Sequence, residues 1–173
     1  MYVSRRTAVT LLTAAAFAGS ATMAVSALGD QGNQGRGHRE HDGRSLLDTS
    51  LAPSVPSDPM LLGAAAGGVP WVLRFGEAAL RDSGRLDVSI RGLVIPTAPF
   101  TGTTGPVTTV DASLYCAGNS TPVATSAPVP ISTTGDAHIS ARFTLPAKCQ
   151  IPALLIHPNG ATGVYIASSG FGG

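Results

Sequence analysis

Charged and aromatic side chains are scarce in this sequence. Of its 173 residues, 12% are Asp, Glu, Lys or Arg, 5% are Phe, Trp or Tyr, and the formal net charge is +1. A near-neutral chain offers no basic surface that would hold nucleic acid or anionic lipid, so we expect no nucleic-acid partner. Gly and Pro are plentiful instead, which favours short strands joined by turns over long helices.

Motifs that carry catalysis are also missing. After residue 27 the chain has no G-x-S-x-G nucleophile motif, no phosphate-binding glycine loop and no calcium loop. Most carboxylates fall at predicted turns or on solvent faces, where unspecialised carboxylates normally lie. We therefore predict no catalytic, cofactor-binding or metal site and no enzyme activity. A hydrolase with a site near His138 is the alternative, although His138 falls on the outer face of its predicted strand.

The N-terminus carries the strongest pattern in the chain. Residues 1–27 have a short basic start, Arg5 and Arg6, followed by uncharged, largely apolar residues that end in VSA. This layout predicts an export signal cleaved after Ala27, and SRRTAV resembles a twin-arginine motif. A transmembrane anchor is the alternative, but Thr, Ser, Gly and Ala contribute little insertion energy. We expect a secreted, extracellular protein with no stable membrane insertion after signal cleavage.

Two segments precede the predicted domain. Residues 28–45, LGDQGNQGRGHREHDGRS, have almost no apolar side chain to bury and are predicted to be a flexible tail. Residues 46–70 alternate short apolar groups with Pro and Gly, which argues against a regular helix or a central strand. We interpret them as an extended arm whose leucines, together with Met60, pack on the domain of residues 71–173. The alternative for residues 63–68 is a hinge loop.

From Trp71 onward, apolar residues recur at every second position, which is typical of half-buried strands. GEAALRDSGRLDVSIRGLVI predicts a hairpin, VDASLYC and AHISARFTL predict further strands, and ALLIH with GVYIA predicts a closing hairpin. About seven strands in roughly 100 residues predict an all-β fold, an immunoglobulin-like antiparallel β-sandwich, with a small open barrel as the alternative. The loop PTAPFTGTTGP is a candidate contact surface, as sandwich loops often are.

The only two cysteines, Cys116 and Cys149, fall on or next to inward-facing strand positions. An exported chain meets an oxidising environment, in which two buried thiols readily pair. We predict a disulfide that clamps two layers of extended chain. The alternatives are unpaired core thiols, a catalytic thiol, which needs a histidine base within reach, and a metal site, which needs four ligands.

Three aromatic residues are candidates for a binding surface. Carbohydrate-binding modules usually present an aromatic platform, and Trp71, Tyr115 and Tyr165 are the residues available for one. Tyr115 and Tyr165 fall out of phase with their inward neighbours, which places both on one exposed face in this interpretation. The alternative is that residues 46–70 cover both tyrosines. The predicted partner is an extracellular protein or a glycan, bound by a monomer.

Several motifs follow one another in an order that resembles a known family. SLAPSVPSDP, GGVPW, RGLVIP, LYCAGN and the stretch from GDAHI to LPAKC are similar to an uncharacterised family of small secreted actinobacterial proteins. The resemblance covers about residues 45–170 and implies an exported all-β domain with one disulfide. It supplies no substrate and no catalytic residue. The sequence therefore predicts a secreted structural or binding module and leaves its ligand open.

Overall fold

The computed structural model describes residues 43–170 and shows an all-β domain. Residues 1–42 and 171–173 lie outside the described residues, so the prediction of an export signal, and that of a flexible tail as far as residue 42, stay predictions. The last residue of the predicted tail, Ser45, instead begins the first strand and pairs with Arg81. None of the described residues belongs to a helix that is long and apolar enough to cross a membrane. The strands are β1 (Ser45–Pro53), β2 (Ala65–Ala66), β3 (Phe75–Arg81), β4 (Arg85–Arg91), β5 (Thr109–Tyr115), β6 (Ala124–Thr125), β7 (Val129–Pro130), β8 (Ala137–Arg142), β9 (Ala153–Pro158), β10 (Val164–Tyr165) and β11 (Ala167–Ser169).

The first predicted hairpin forms strands β3 and β4, and β8 pairs with the far side of β4. Ala78 lies opposite Val88, and Leu80 lies opposite Leu86. Ile139 of β8 lies opposite Val88 from the other side. All of these side chains are buried, because residues two apart on a strand point to the same face. The alternation predicted for these three strands is confirmed.

Strand β1 is shared by two halves of one antiparallel sheet. Residues 45–50 pair with β3, and residues 51–53 pair with β11. The strand order is β6-β5-β9-β11-β1-β3-β4-β8, with β7 also paired to β5. The all-β prediction is confirmed. The immunoglobulin-like detail is not confirmed, because β1 joins the two halves into a single curled sheet.

One hydrophobic core lies between the two halves of this sheet. It combines buried side chains of β3, β4 and β8 with those of β5, β9 and β11. Val110, Ala112 and Leu114 supply the contribution of β5, in the phase that the sequence predicted. Each fully buried Val, Leu or Ile side chain contributes about 1.5–3 kcal/mol, so this cluster is the main source of stability.

The interpretation of residues 46–70 as an arm outside the sheet is wrong for their first part. Strand β1 lies between two other strands, because Pro53 falls at its last residue and leaves the preceding amides free to pair. The expectation for Met60 is also wrong, since it follows a surface turn and is 69% exposed. The predicted leucines do pack on the domain, Leu46, Leu47 and Leu51 on the main core and Leu61 and Leu62 on a smaller one.

A second, smaller core lies on the outer face of β5 and β9. Tyr115, Leu155 and Tyr165 are buried there beneath residues 61–66, which include β2. Parallel pairing between β2 and β10 holds this covering segment on the sheet. The predicted closing hairpin is therefore split, because β10 leaves to pair with β2 and β11 then returns to β9.

Cys116 and Cys149 form the predicted disulfide, with their Cα atoms 5.0 Å apart. Cys116 directly follows β5, and Cys149 shortly precedes β9. Since β5 and β9 are paired neighbours, the bond joins the ends of two strands of the same half of the sheet. The prediction that it clamps two layers is wrong. The amide of Ala117 donates to the carbonyl of Gln150 at 2.6 Å and extends this junction.

Candidate functional site

The three aromatic residues that were candidates for an exposed platform are all buried. Trp71 is 3% exposed, Tyr115 is 2% and Tyr165 is 1%. The alternative for the two tyrosines is confirmed, because residues 61–66 of the predicted arm cover them. The hydroxyl of Tyr165 donates to the carbonyl of Pro59 at 2.9 Å, which fixes the cover to the sheet. These residues therefore offer no open surface for a sugar ring to stack on.

His138 lines a shallow surface depression together with Ser89 and Asp136. Ser89 and His138 lie opposite each other on β4 and β8, but no hydrogen bond joins any two of the three side chains. Asp136 instead accepts from the Thr134 hydroxyl at 2.9 Å and from the Gly92 amide at 3.0 Å. These two bonds, with Thr134 the stronger influence, lower the pKa of its carboxyl. Asp136 is engaged in its own turn and does not orient His138 as a catalytic base.

An apolar pocket of about 180 Å³ lies where the predicted contact loop, residues 96–106, and the adjoining Val107 meet residues 67–71. Trp71 and the loop were separate candidates in the sequence, and the structure brings them together here. The end of β9 and the start of β10 complete the walls. The apolar pocket is lined chiefly by Trp71, Ile95, Phe100, Val107 and Ile166.

Hydrogen bonds within the loop fix the wall of the apolar pocket that carries Phe100. The amide of Ile95 donates to Thr103 O, and the amide of Gly102 donates back to Ile95 O, both at 2.8 Å. The Thr103 hydroxyl donates to the carbonyl of Phe100, also at 2.8 Å. Phe100 is left 39% exposed. A constrained loop with an exposed aromatic residue at a pocket is preorganised for binding.

Trp71 keeps an unused hydrogen-bond donor at the apolar pocket. Its indole N–H donates to no acceptor, although the residue is almost fully buried. Among residues 43–170, the enclosed side-chain N and O atoms without a partner belong to Asp111 and His157, so the indole nitrogen still reaches open space. It would lie 3.1 Å from a Cβ placed on Gly67, which also lines the pocket. The donor is therefore available to a ligand.

A buried ionisable pair lies on the outer face of β5 and β9, near the second core. Asp111 and His157 are opposite each other and are 2% and 0% exposed. His157 Nδ1 donates to the carbonyl of Val164 at 2.6 Å. Its Nε2 and both carboxylate oxygens of Asp111 have no hydrogen-bond partner. Burial raises the pKa of the Asp111 carboxyl, and His157 with the nearby Gly160 N–H offsets part of that rise.

We expect Asp111→Asn to raise the free energy of unfolding at neutral pH by about 1 kcal/mol, because it removes a charge buried without hydrogen bonds. The raised pKa means that the folded protein binds this proton more tightly than the unfolded chain does. The contribution of Asp111 to stability is therefore fully present at low pH and is lost as the pH rises through the folded-state pKa. The variant lacks this dependence.

Denaturant unfolding between about pH 3 and pH 8 measures the effect of Asp111→Asn. Asp48→Asn is the matched control, since Asp48 is exposed on β1 and its replacement should change stability by less than about 0.5 kcal/mol. A loss of stability in Asp111→Asn at neutral pH, with Asp48→Asn unchanged, would show that the carboxylate has a stabilising role that its surroundings do not suggest.

No protein-family model, curated protein or solved structure matches this chain. The resemblance to secreted actinobacterial proteins stays a prediction. Within the range 43–170, no group of three or more His, Cys, Asp or Glu side chains is placed to hold a metal ion. The apolar pocket is thus the candidate site that combines concavity, an exposed aromatic residue and a free donor.

Proposed function

We propose that this protein is exported and acts outside the cytoplasm as a binding module without catalytic activity. The observation that carries the proposal is the apolar pocket, with Phe100 exposed at its wall and the Trp71 donor unused. Ligand sites are commonly concave, largely apolar and furnished with a few polar groups that fix orientation. This pocket is built from a loop and strand ends on a disulfide-bonded sheet, which favours a rigid site.

Binding through the apolar pocket is tested by two matched phenylalanine variants. Phe100 lines the pocket and is 39% exposed, whereas Phe75 is 41% exposed and does not line it. Immobilised mature protein is exposed to envelope polysaccharides and to surface proteins of the producing cell. We expect retention of a ligand that is reduced at least about tenfold by Phe100→Ala, the cost of removing one buried aromatic contact, and that Phe75→Ala preserves. Equal retention by both variants would place the binding surface elsewhere.

Support for export comes from the leader and from the disulfide. Residues 1–27 have the layout of an export signal, and a bond such as Cys116–Cys149 persists in oxidising compartments. In a bacterial host we expect the mature chain outside the cytoplasm with both sulfurs protected from alkylation. Removal of residues 1–27 should leave the chain in the cytoplasm with alkylatable thiols. Cytoplasmic retention of the full-length chain would contradict the proposal.

A hydrolase near His138 is the second candidate, because Ser89, Asp136 and His138 line one depression. It has less support, since these side chains are not hydrogen-bonded to one another. Turnover of an ester or glycan panel by the wild-type protein that His138→Ala abolishes would reverse the order of the two candidates.

A further inference from the structure

We infer that the apolar pocket takes one compact apolar ring or branched aliphatic group that carries a single hydrogen-bond acceptor. This inference rests on the proposed function and names the chemical class of its ligand. It narrows the earlier expectation of a protein or a glycan, because it sets the size of the bound group, the character of its surface and the position of its one polar atom.

The volume of the pocket sets the size of the group. Cavities for drug-sized ligands measure roughly 300–1,000 Å³, whereas this pocket measures about 180 Å³. An apolar protein cavity of roughly 150 Å³ holds one benzene ring. The pocket therefore has room for a single six-membered ring with a small substituent, and it is too small for a sterol or a folded acyl chain.

The walls of the pocket determine the surface of the group. They consist of aliphatic, aromatic, proline and glycine residues, and no charged side chain contributes to them. A sugar ring carries several hydroxyl groups, each of which loses its water on binding and must find a partner in the protein. The side chains of these walls supply a single donor, the indole N–H of Trp71, and no acceptor. The pocket consequently favours a hydrocarbon surface over a glycan.

The one side-chain donor at the pocket wall indicates that the bound group carries a hydrogen-bond acceptor. The indole N–H of Trp71 is unused, and a ligand that leaves it buried and unpaired would bind less well than one that accepts from it. The backbone amides of Gly68 and Val69 are also free of hydrogen bonds in the described structure. A carbonyl, ether or hydroxyl oxygen on the ring would satisfy the indole while the ring contacts Ile95 and Val107.

The indole resonance of Trp71 is a direct reporter, because the chain has a single Trp. We propose to titrate the 15N-labelled mature protein with four probes and to follow the amide and indole resonances by NMR. Cyclohexanone has a ring and an acceptor, toluene has a ring alone, acetone has an acceptor alone, and glucose is a polyol. We expect cyclohexanone to bind most tightly, in the millimolar range for so small a ligand, and to move the indole proton downfield.

The other probes separate the parts of the inference. Toluene should move the amides of Gly68 and Val69 without the downfield indole shift, and acetone and glucose should bind at least about tenfold more weakly than cyclohexanone. Glucose binding as tightly as cyclohexanone would overturn the apolar assignment. Toluene binding as tightly as cyclohexanone, with the indole unmoved by both, would overturn the acceptor.

Two glycine variants test whether the probes occupy this pocket. A methyl group on Gly67 would lie 3.1 Å from Trp71 Nε1 and 3.4 Å from Ile166, whereas one on Gly163 meets nothing within 4 Å. Neither glycine has a positive φ, so the comparison isolates the space in the pocket. Gly67→Ala should weaken cyclohexanone binding about tenfold, the cost of crowding a packed site, and Gly163→Ala should preserve it. Equal affinities in the two variants would overturn the inference.

Failure of this inference can be told apart from failure of the proposed function. If the four probes leave every pocket resonance unmoved while Phe100→Ala still loses a retained ligand that Phe75→Ala keeps, the protein is a binding module whose ligand has another chemistry. If neither experiment shows binding at the pocket, both proposals fail together.

Discussion

Replacing both Cys116 and Cys149 by alanine lowers the free energy of unfolding by about 4 kcal/mol. The two residues are 33 positions apart, and the bond removes the entropy that a loop of this length has in the unfolded chain. Alanine is preferred to serine because Cys116 is buried in the core, where an unpaired hydroxyl would add its own cost. Small domains have a total stability of about 5–15 kcal/mol, so this loss brings the variant close to unfolding.

Denaturant titration of the wild-type protein and the double variant, each with and without reductant, measures the contribution of the disulfide. Reductant should shift the wild-type transition towards that of the variant and leave the variant unchanged. The reduced wild type keeps both sulfur atoms but lacks the bond. Its comparison with the double variant therefore shows how much stability is lost through the missing sulfur atoms alone. A difference of less than about 1 kcal/mol between oxidised and reduced wild type would mean that the unfolded chain gains little freedom when the bond is broken.

Gly135→Ala lowers the free energy of unfolding by about 3 kcal/mol or more, by a mechanism that is independent of the disulfide. Gly135 has a φ of 81°, and the left-handed region costs a residue with a side chain about 1–2 kcal/mol. A Cβ at this position would also overlap backbone atoms of Leu93, which cannot rotate away as a side chain can. The amide of Leu93 donates to the carbonyl of Gly135 at 3.0 Å, so relief of the overlap also disturbs this bond.

The matched control for Gly135→Ala is Gly118→Ala. Gly118 has a φ of 73°, but a Cβ there meets nothing within 4 Å. The free energy of unfolding of the control variant should therefore fall only by the cost of the left-handed backbone conformation, about 1–2 kcal/mol. Thermal or chemical unfolding of both variants gives the comparison. Equal losses would show that the segment carrying Gly135 moves away from Leu93 without cost.

The strands that face solvent on one side were predictable from the sequence. In β3, β4 and β8, polar residues alternate with apolar ones such as Leu80, Val88 and Ile139, and the structure buries the apolar set. When one face of a strand is exposed to solvent, apolar and polar residues alternate, and this alternation identifies the strand and its buried face. The disulfide between Cys116 and Cys149 was also predictable, from residue type and from position in the alternation. The alternation did not show that the two cysteines flank neighbouring strands of the same half of the sheet.

Strands buried on both faces cannot be recognised from alternation alone. Alternation placed Asp111 and Tyr115 on the face away from the core, and only the separate expectation of a cover by residues 46–70 allowed for the burial of Tyr115 beneath residues 61–66. The continuous apolar run ALLI in β9 did indicate burial on both faces, since such runs are typical of strands with no solvent-exposed face. It therefore also indicated burial of both faces of the neighbouring strand β5. The local sequence does not identify residues 61–66 as the covering segment, because their strand β2 pairs with β10, about a hundred residues further along the chain.

The candidate site was predictable in its parts and not in its assembly. Trp71 and the loop that carries Phe100 stood out by residue type and by turn composition. The pocket also needs Ile166 and Gly67, which reach it only through the parallel pairing of β2 with β10. The glycines of GGVPW were the available sign, since glycine next to an aromatic residue often marks a close approach of the backbone.

The shared strand β1 has a consequence for the nascent chain. Its first part can pair with β3 once residue 81 has emerged from the ribosome, but residues 51–53 have no partner until β11 has emerged as well. A chain still emerging from the ribosome thus carries an open β edge through most of its synthesis, and such edges recruit other chains. Removal of β11, the last strand of the described residues, would leave residues 51–53 unpaired again, and we expect the truncated chain to self-associate.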